Sequence, residues 1–487
     1  MILAIDSGTT GVTAIAVDKS GNILARGYQE FPQHFPQPGW VEHDLEEIWQ
    51  AAQSSVSQVI EKVGPDFQAL GITNQRETIG LWNRKTLQSP RKAIVWQDRR
   101  TTLILKALEN HPSYSRVQAL TGLPLDPYFS AAKLRWIATN EPEVWKEVLA
   151  GNTVVGTIDS YVIARATNGT HITDASNASR TQLYDLHTGT WSEELLDLFE
   201  IPLAALPTIV DSSGQLARTN PETFFGLDIP IAGIAGDQQA ALFGQTQFQL
   251  GGAKCTYGTG AFILQNTGEL PIVQSNGLIT TVAWQLKGVR TYASEGSVFV
   301  AGAAVQWLRD ELQLFQDSDQ IEALADSVPD TAGVVFVPAL TGLGAPYWKP
   351  DARGSFFGLT RGTSKAHIAR ATLEALAFQV RDVFEAMAST GIKLSKLRVD
   401  GGASENNLLL QIQADQLGAT IERPIHLDST ALGAAYLAGL GVGIWNDLSD
   451  LENLNPIAKS FEKQSDSEPS YQAWKRAVAA TIAFTEK

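Results

Sequence analysis

One short turn, which occurs twice, constrains the fold more than any other feature. Near the start, an apolar strand over residues 2–5 runs into Asp6-Ser-Gly-Thr-Thr10, and a β-rich run Val12–Val17 follows. About half a chain later, Lys254-Cys-Thr-Tyr-Gly-Thr-Gly260 repeats the plan and continues as Ala261–Gln265. Two strand–turn–strand openings, each followed by alternating strand and helix patterns, indicate duplication of a β-meander-plus-helix unit. The boundary falls near residue 245, which divides the chain into an N-terminal domain over 1–245 and a C-terminal domain over 246–487. The expected class is α/β, two lobes around one cleft.

The intervening elements follow from local signals. A third strand follows Asp18-Lys-Ser-Gly21, and the loop Pro36–Trp40 precedes a helix start with Asp44 as N-cap and Glu47 three residues on. Leu45, Ile48, Ala52, Val56, Val59 and Val63 then recur at helical spacing. Ala69–Thr73, Glu77–Trp82 and Ala93–Trp96 read as strands, and segments near 99–110, 130–138 and 142–149 as helices. Ile229–Ala235 reads as a strand that passes through Gly236-Asp237 into a helix over Gln238–Phe243. Further on, the patterns give a helix at about 297–313, a Gly/Pro-rich loop Thr341–Tyr347, a long helix from an N-cap at Ser364, and a strand Lys396–Asp400 that ends in Gly401-Gly402. Residues 455–470 read as a loose linker before a final helix.

Composition excludes several classes. The 487 residues include 37 basic and 52 acidic side chains, a net charge of −15, which argues against a sequence-independent grip on nucleic acid or anionic lipid. The lone Cys255 forms no internal disulfide and anchors no thiolate metal site, so a reducing, cytoplasmic setting is expected. Met1–Asp6 reads as a strand and not as a signal peptide, because it lacks a basic leader. The charge-free stretches 331–348 and 429–446 carry glycines and polar residues, and read as buried core with no membrane insertion.

The recurring turn suggests chemistry. A Gly-Thr turn between strands offers successive backbone N–H groups and hydroxyls to phosphate oxygens, and Asp6 at the strand end could hold a bridging metal ion. Alone, the same turn is also an ordinary Gly hairpin with a turn aspartate. Its recurrence at Gly258–Gly260, the pair Gly401-Gly402, and Asp237 at another strand end together outline a nucleotide cleft. A P-loop and the protein-kinase HRD and DFG motifs are absent from the sequence, and no Rossmann fingerprint follows the first strand.

The strings Gly71–Thr78 (GITNQRET), Ala93–Gln97 (AIVWQ), Asp126–Ser130 (DPYFS), Gly233–Gly244 (GIAGDQQAALFG), Thr256–Gly260 (TYGTG), Thr341–Trp348 (TGLGAPYW) and Arg398–Ala403 (RVDGGA) resemble, in order, the FGGY carbohydrate kinase family in its glycerol-phosphorylating branch. The resemblance runs from about residue 2 to 445 and implies the actin-like, ribonuclease-H-like fold, each lobe a mixed sheet flanked by helices. It implies ATP-dependent phosphorylation of glycerol to sn-glycerol 3-phosphate with Mg2+, in-line transfer, and a dimer or tetramer. The N-terminal lobe would carry the polyol pocket, the first phosphate turn and the catalytic aspartate, and the C-terminal lobe the nucleotide.

Carried over residue by residue, the resemblance assigns polyol binding to Arg76, Glu77, Trp96, Tyr128, Asp237, Gln238 and Phe262. It makes Asp237 the general base, which a primary alcohol needs because its own pKa lies far above neutrality. An aspartate before a helix also reads as an N-cap. Thr9, Thr10, Thr259, Gly302, Gln306, Gly402 and Asn406 fall to the nucleotide, and Asp6 with Asp237 to the metal. Three departures stand out. Gly11, Val12 and Thr13 follow the first turn where well-known bacterial members of that branch carry an arginine near the ADP phosphates, so this chain is not expected to make that phosphate contact in the same way. Pro221–Asp228 lacks the Gly/Arg cluster of forms inhibited by fructose 1,6-bisphosphate, so no such inhibition is expected, and 464–472 shows no clear match to the sugar-transport regulator's docking site. The alternatives are a kinase of another polyol or ketose in the same family and, more distantly, an actin-like or chaperone-like ATPase without a small-molecule acceptor.

Overall fold

The structure, a computed structural model, describes residues 1–485 except Ser275 and Ser395. Thirteen strands form one continuous sheet: β1 (Ile2–Ser7), β2 (Gly11–Val17), β3 (Ile23–Glu30), β4 (Ala69–Asn74), β5 (Ser213–Arg218), β6 (Pro230–Gly236), β7 (Ala253–Tyr257), β8 (Ala261–Gly268), β9 (Ile279–Leu286), β10 (Val289–Val298), β11 (Lys396–Asp400), β12 (Thr420–Pro424) and β13 (Ile457–Phe461). Their spatial order is β13-β12-β11-β7-β8-β10-β9-β5-β6-β4-β1-β2-β3.

The duplication inferred from the turns is visible in this order. In the first half β3, β2 and β1 form an antiparallel meander, and β4 then β6 add in parallel beside β1. In the second half β10, β8 and β7 form the meander, and β11 then β12 add in parallel beside β7. The two units meet through β5 and β9, whose pairing is confined to Ser213 opposite Leu286. A separate four-stranded sheet, Glu42–His43, Ala93–Ile94, Ile79–Asn83 and Thr153–Thr157, stands beside the first unit.

Helices cover the sheet: α1 (Leu45–Val63), α2 (Asp237–Gly244), α3 (Gly302–Asp310), α4 (Lys365–Met387), α5 (Asn407–Leu417), α6 (Ser429–Gly441) and α7 (Glu468–Thr485). The apolar stripe of α1 buries Leu45, Ile48, Ala52, Val56 and Val59 as its spacing predicts. Its cap differs from expectation: Asp44 Oδ1 accepts from Glu46 N at 2.9 Å, while Glu47 turns outward to His34 at 2.8 Å, so no reciprocal box forms.

Charge-free 429–446 is mostly helix α6, buried against β1, β4, β6 and α2 of the first unit. The approach is close enough that a Cβ on Gly71 would collide with Ala434 O and one on Gly433 with Ala240 O. Ile2, Ala4, Ala232, Ala240, Leu432, Ala435 and Leu437 share the resulting core. Among the described residues no helix is long and apolar enough to cross a membrane.

Three expectations need correction. The helix at 297–313 is shorter, because Ser297 and Val298 finish β10 by pairing with Phe262 and Ala261; the helix α3 begins at Gly302. The linker 455–470 contains an edge strand, β13, that pairs antiparallel with β12. The strand at Glu77–Trp82 starts at Ile79, since Glu77 takes a left-handed φ of 59° and turns the chain. Helix Ile158–Thr167 escaped the reading because it is buried nearly all round and shows no amphipathic stripe.

Candidate active site

The carboxyl ends of β1, β4, β6, β7 and β11 bring the singled-out residues toward one region, the usual ligand side of such sheets. Asp6 lies in β1 opposite Thr13 and beside Thr73 of β4. Arg76 and Glu77 follow β4 directly, and Asp237 is the first residue of α2 after β6. The N-cap of α2 is Gly236, which corrects the capping reading; Asp237 is the first helical residue, and its Oδ1 accepts only from the adjacent Gln238 N, at 2.7 Å. The same Oδ1 lies 2.9 Å from Arg76 Nε, with the carboxylate about a quarter exposed at 27%.

Arg76 and Glu77 are both buried, but they do not pair with each other. Arg76 donates to Glu295 Oε2 at 2.6 Å and Oε1 at 3.1 Å, and to Gln239 Oε1 at 3.2 Å. Glu77 accepts from Arg180 Nε at 2.6 Å, and Arg180 Nη2 donates to Glu295 Oε1 at 3.1 Å. Two guanidiniums and two carboxylates thus form a charge box, linked in the order Arg76–Glu295–Arg180–Glu77 and open between Arg76 and Glu77, that ties the first unit to Glu295 of β10. Burial opposes charge on Glu295, but Arg180 and Arg76 outweigh it and hold its carboxyl down at about 2. For Glu77 burial prevails over the same two arginines and the pKa rises.

Above this box stands an aromatic wall. The Trp96 ring meets Tyr128 edge-on at 5.4 Å and Phe262 at 6.5 Å. Tyr128 is held from behind by buried Lys133, whose Nζ donates to the carbonyls of Pro127 and Tyr128 at 2.6 Å and of Phe129 at 3.0 Å. Burial pulls the Lys133 pKa down to about 7. Gln238, next to Asp237, accepts from the ammonium of buried Lys254, which also donates to Thr256 Oγ1 at 2.9 Å. Such a wall, apolar on one side and lined by donors and acceptors on the other, suits a small polyol.

The residues assigned to the nucleotide occupy both turns. Thr9 and Thr10 lie between β1 and β2, and Trp96 Nε1 donates to Thr9 Oγ1 at 3.0 Å. Thr259 lies between β7 and β8, where Thr259 O accepts from Ala301 N at 2.8 Å and Ala303 N at 3.1 Å. Gly302 opens α3 with its N–H 3.0 Å from Gly258 O, and Gln306 is exposed one turn further on. Gly401, at φ +83°, turns so close to Tyr257 that a Cβ would strike its carbonyl, and Gly402 beyond it faces open space. Asn406 Oδ1 caps α5 by accepting from Leu409 N at 2.8 Å, so this side chain has a structural task that its assignment did not foresee.

For a metal, the described residues contain no group of three or more His, Cys, Asp or Glu side chains arranged around one point. Burial, followed by the Asp237 and Asp428 carboxylates, pushes the Asp6 pKa up to about 7. A carboxylate placed against like charge suits a cation, and Mg2+ needs only one or two protein carboxylates when water and phosphate complete its shell. Asp6 and Asp237 fit that demand. Thr13 lies across from Asp6 and brings no positive charge.

Arg180, Glu295, Lys133, Lys254 and Gln239 were not found in the sequence. The partners of Arg180, Glu295 and Gln239 lie far away along the chain, 219 residues for Arg76 and Glu295, and for Lys133 and Lys254, whose partners include near neighbours, no local pattern marks the burial.

The doubled unit with its two turns and shared cleft is the architecture of the actin-like carbohydrate kinases. The N-terminal domain of the FGGY family of carbohydrate kinases matches residues 1–244, and the C-terminal domain of that family matches 253–442. The chain belongs to this family. It is 50% identical to a glycerol kinase of Oceanobacillus iheyensis over 99% of this chain and 98% of that one, and 50% identical to one of Halorhodospira halophila over 99% and 96%. Among solved structures, Plasmodium falciparum glycerol kinase with ADP superposes with a TM-score of 0.92 at 36% identity, covering 99% of this chain and 98% of the other.

Proposed function

We propose that the protein transfers the terminal phosphoryl group of ATP to a primary hydroxyl of glycerol, giving sn-glycerol 3-phosphate and ADP. The observation that carries this reading is Asp237, oriented by Arg76 at 2.9 Å and part-exposed, whose neighbour Gln238 is joined through Lys254 to Phe262 O at 3.3 Å in the aromatic wall. Arg76, Glu77 and Gln238 would meet the hydroxyls, and the rings the carbon chain. Asp237 would accept the proton of the attacking hydroxyl as the new phosphorus–oxygen bond forms. Backbone amides of the Gly8–Thr10 and Gly258–Gly260 turns would receive phosphate oxygens, with Gly302, Gln306, Gly402 and Asn406 near the rest of the nucleotide. Mg2+, held by Asp6 and Asp237, supplies charge neutralisation at the phosphates when bound.

In this reading the unit 1–245 carries acceptor and base, and 246–487 carries the nucleotide. Closure of the cleft would exclude water, the competing acceptor. ADP release, measured with and without glycerol, tests the reaction. The Asp237→Asn variant retains an oxygen for Arg76 and should lose about 10²–10⁴-fold in kcat with its melting temperature preserved. Xylulose, ribulose or erythritol giving a higher kcat/KM than glycerol would reject the acceptor.

A further inference from the structure

A chain of buried and part-buried polar side chains lies behind the first turn, and four of its members, Gln33, His43, Gln75 and Thr78, have no part in the chemistry described so far. Gln75 Nε2 donates to Gly8 O at 2.9 Å and lies 3.2 Å from His43 Nδ1. Because that amide nitrogen only donates, His43 Nδ1 must accept, and the ring hydrogen sits on Nε2. His43 Nε2 then donates to Gln33 Oε1 at 2.6 Å, and Gln33 Nε2 donates to Thr9 O at 2.9 Å. On the other side, Gln75 Oε1 accepts from Thr78 Oγ1 at 2.8 Å, and Thr78 Oγ1 accepts from Trp96 N at 3.2 Å. Trp96 Nε1 closes the circuit on Thr9 Oγ1 at 3.0 Å.

Every donor direction in this circuit is thereby fixed. His43 is fully buried, with Phe31 edge-on at 5.0 Å, and Gln75 is 1% exposed. Burial, and then the nearby His34, hold the His43 pKa down at about 3, so the ring stays in the neutral form that the circuit needs.

The two carbonyls it grips are those of the phosphate turn. In a planar trans peptide the carbonyl of one residue and the N–H of the next point in opposite directions. Drawing Gly8 O and Thr9 O back onto the glutamines turns the N–H groups of Thr9 and Thr10 the other way. We propose that Gln33, His43 and Gln75 are positioning residues that aim the first turn at ATP phosphates and, through Thr78 and Trp96, lock it in register with the polyol wall. The inference rests on the proposed function for the identity of the ligand at this turn.

Kinetics with ATP and glycerol varied separately provide the test. Gln33 is only part-buried, so Gln33→Ala should fold; it should raise KM for ATP about 10-fold while KM for glycerol stays within about twofold. His43→Leu should do the same more severely, and His43→Gln, which restores a donor and an acceptor, should recover part of the loss. An unchanged KM for ATP in Gln33→Ala with active wild type would overturn the positioning role. So would parallel losses in both KM values together with a fall in melting temperature, since these signal general loosening. A wild type that releases no ADP on addition of glycerol would instead reject the proposed function, and this inference with it.

Discussion

The two turns descend from one plan yet are built differently. The first, between Ser7 and its partner Val12, encloses Gly8–Gly11; the second, between Tyr257 and Ala261, is one residue shorter. Side chains shape the first: Gln75, Gln33 and Trp96 hold Gly8 O, Thr9 O and Thr9 Oγ1. Main chain shapes the second, where the start of α3 donates to Gly258 O and Thr259 O, and Gly260 and Gly401 pack against Val298 O and Tyr257 O too closely for any Cβ. A carboxylate, Asp6, stands before the first turn, and Thr256 occupies the matching place before the second. Duplication therefore kept the backbone path and divided the labour: one copy acquired adjustable polar supports and the acid, the other a rigid glycine-packed seat.

That comparison assumes both turns face one cleft, which the Arg76–Glu77–Arg180–Glu295 box secures. Breaking the box should have the largest effect. Glu295→Gln leaves two buried guanidiniums short of charge and should cost about 3–5 kcal/mol at pH 7 in chemical denaturation. Its pH dependence has a definite sign. Because the folded pKa is depressed from 4.5 to about 2, the carboxylate's contribution is present above 4.5 and lost as pH falls through about 2. The gap between wild type and Glu295→Gln should accordingly narrow over that window; a gap independent of pH would mean that packing, not charge, makes the box.

The contrast between the turns is sharpened by matched alanines. Gly260→Ala forces a methyl into Val298 O and should cost about 1–3 kcal/mol and weaken ADP binding in calorimetric titration. Gly8→Ala meets only Gly11 O at 3.2 Å, has no left-handed φ, and should be nearly silent in stability. Equal penalties would erase the distinction. The smallest effect belongs to Trp96→Phe, which keeps a ring in the wall but deletes the donor to Thr9 Oγ1. Loss of one such bond, about 0.5–1.5 kcal/mol, should raise KM for ATP about two- to tenfold and leave KM for glycerol nearly unchanged.

How much of this was legible in the sequence depended on range. Asp6, Asp237 and both Gly-Thr turns were found because a strand end, a glycine and a polar residue fall within a few positions, and the collinear strings fixed their order. The stripe on α1 was read for the same reason. The charge box was not, because Arg180 and Glu295 come from segments with no local signature and meet only after the sheet forms. Neighbours in sequence also part company: Arg76 and Glu77 are adjacent, yet with the left-handed φ at Glu77 the two side chains reach different partners, Glu295 and Arg180. Asn406 and Glu47 mark the same limit, since a capping residue is recognised by type and its actual bond by geometry.

Helix α6 has a consequence for how the chain is made. It comes from late in the sequence but seals the face of β1, β4 and β6, elements synthesised long before it. During translation that face, with Ile2, Ala4 and Ala232, must wait uncovered until Ser429–Gly441 leaves the ribosome. The first unit thus completes the burial of this face only with a segment from the second. Until that distant helix is made, the apolar face is exposed surface of the kind that promotes aggregation of nascent chains.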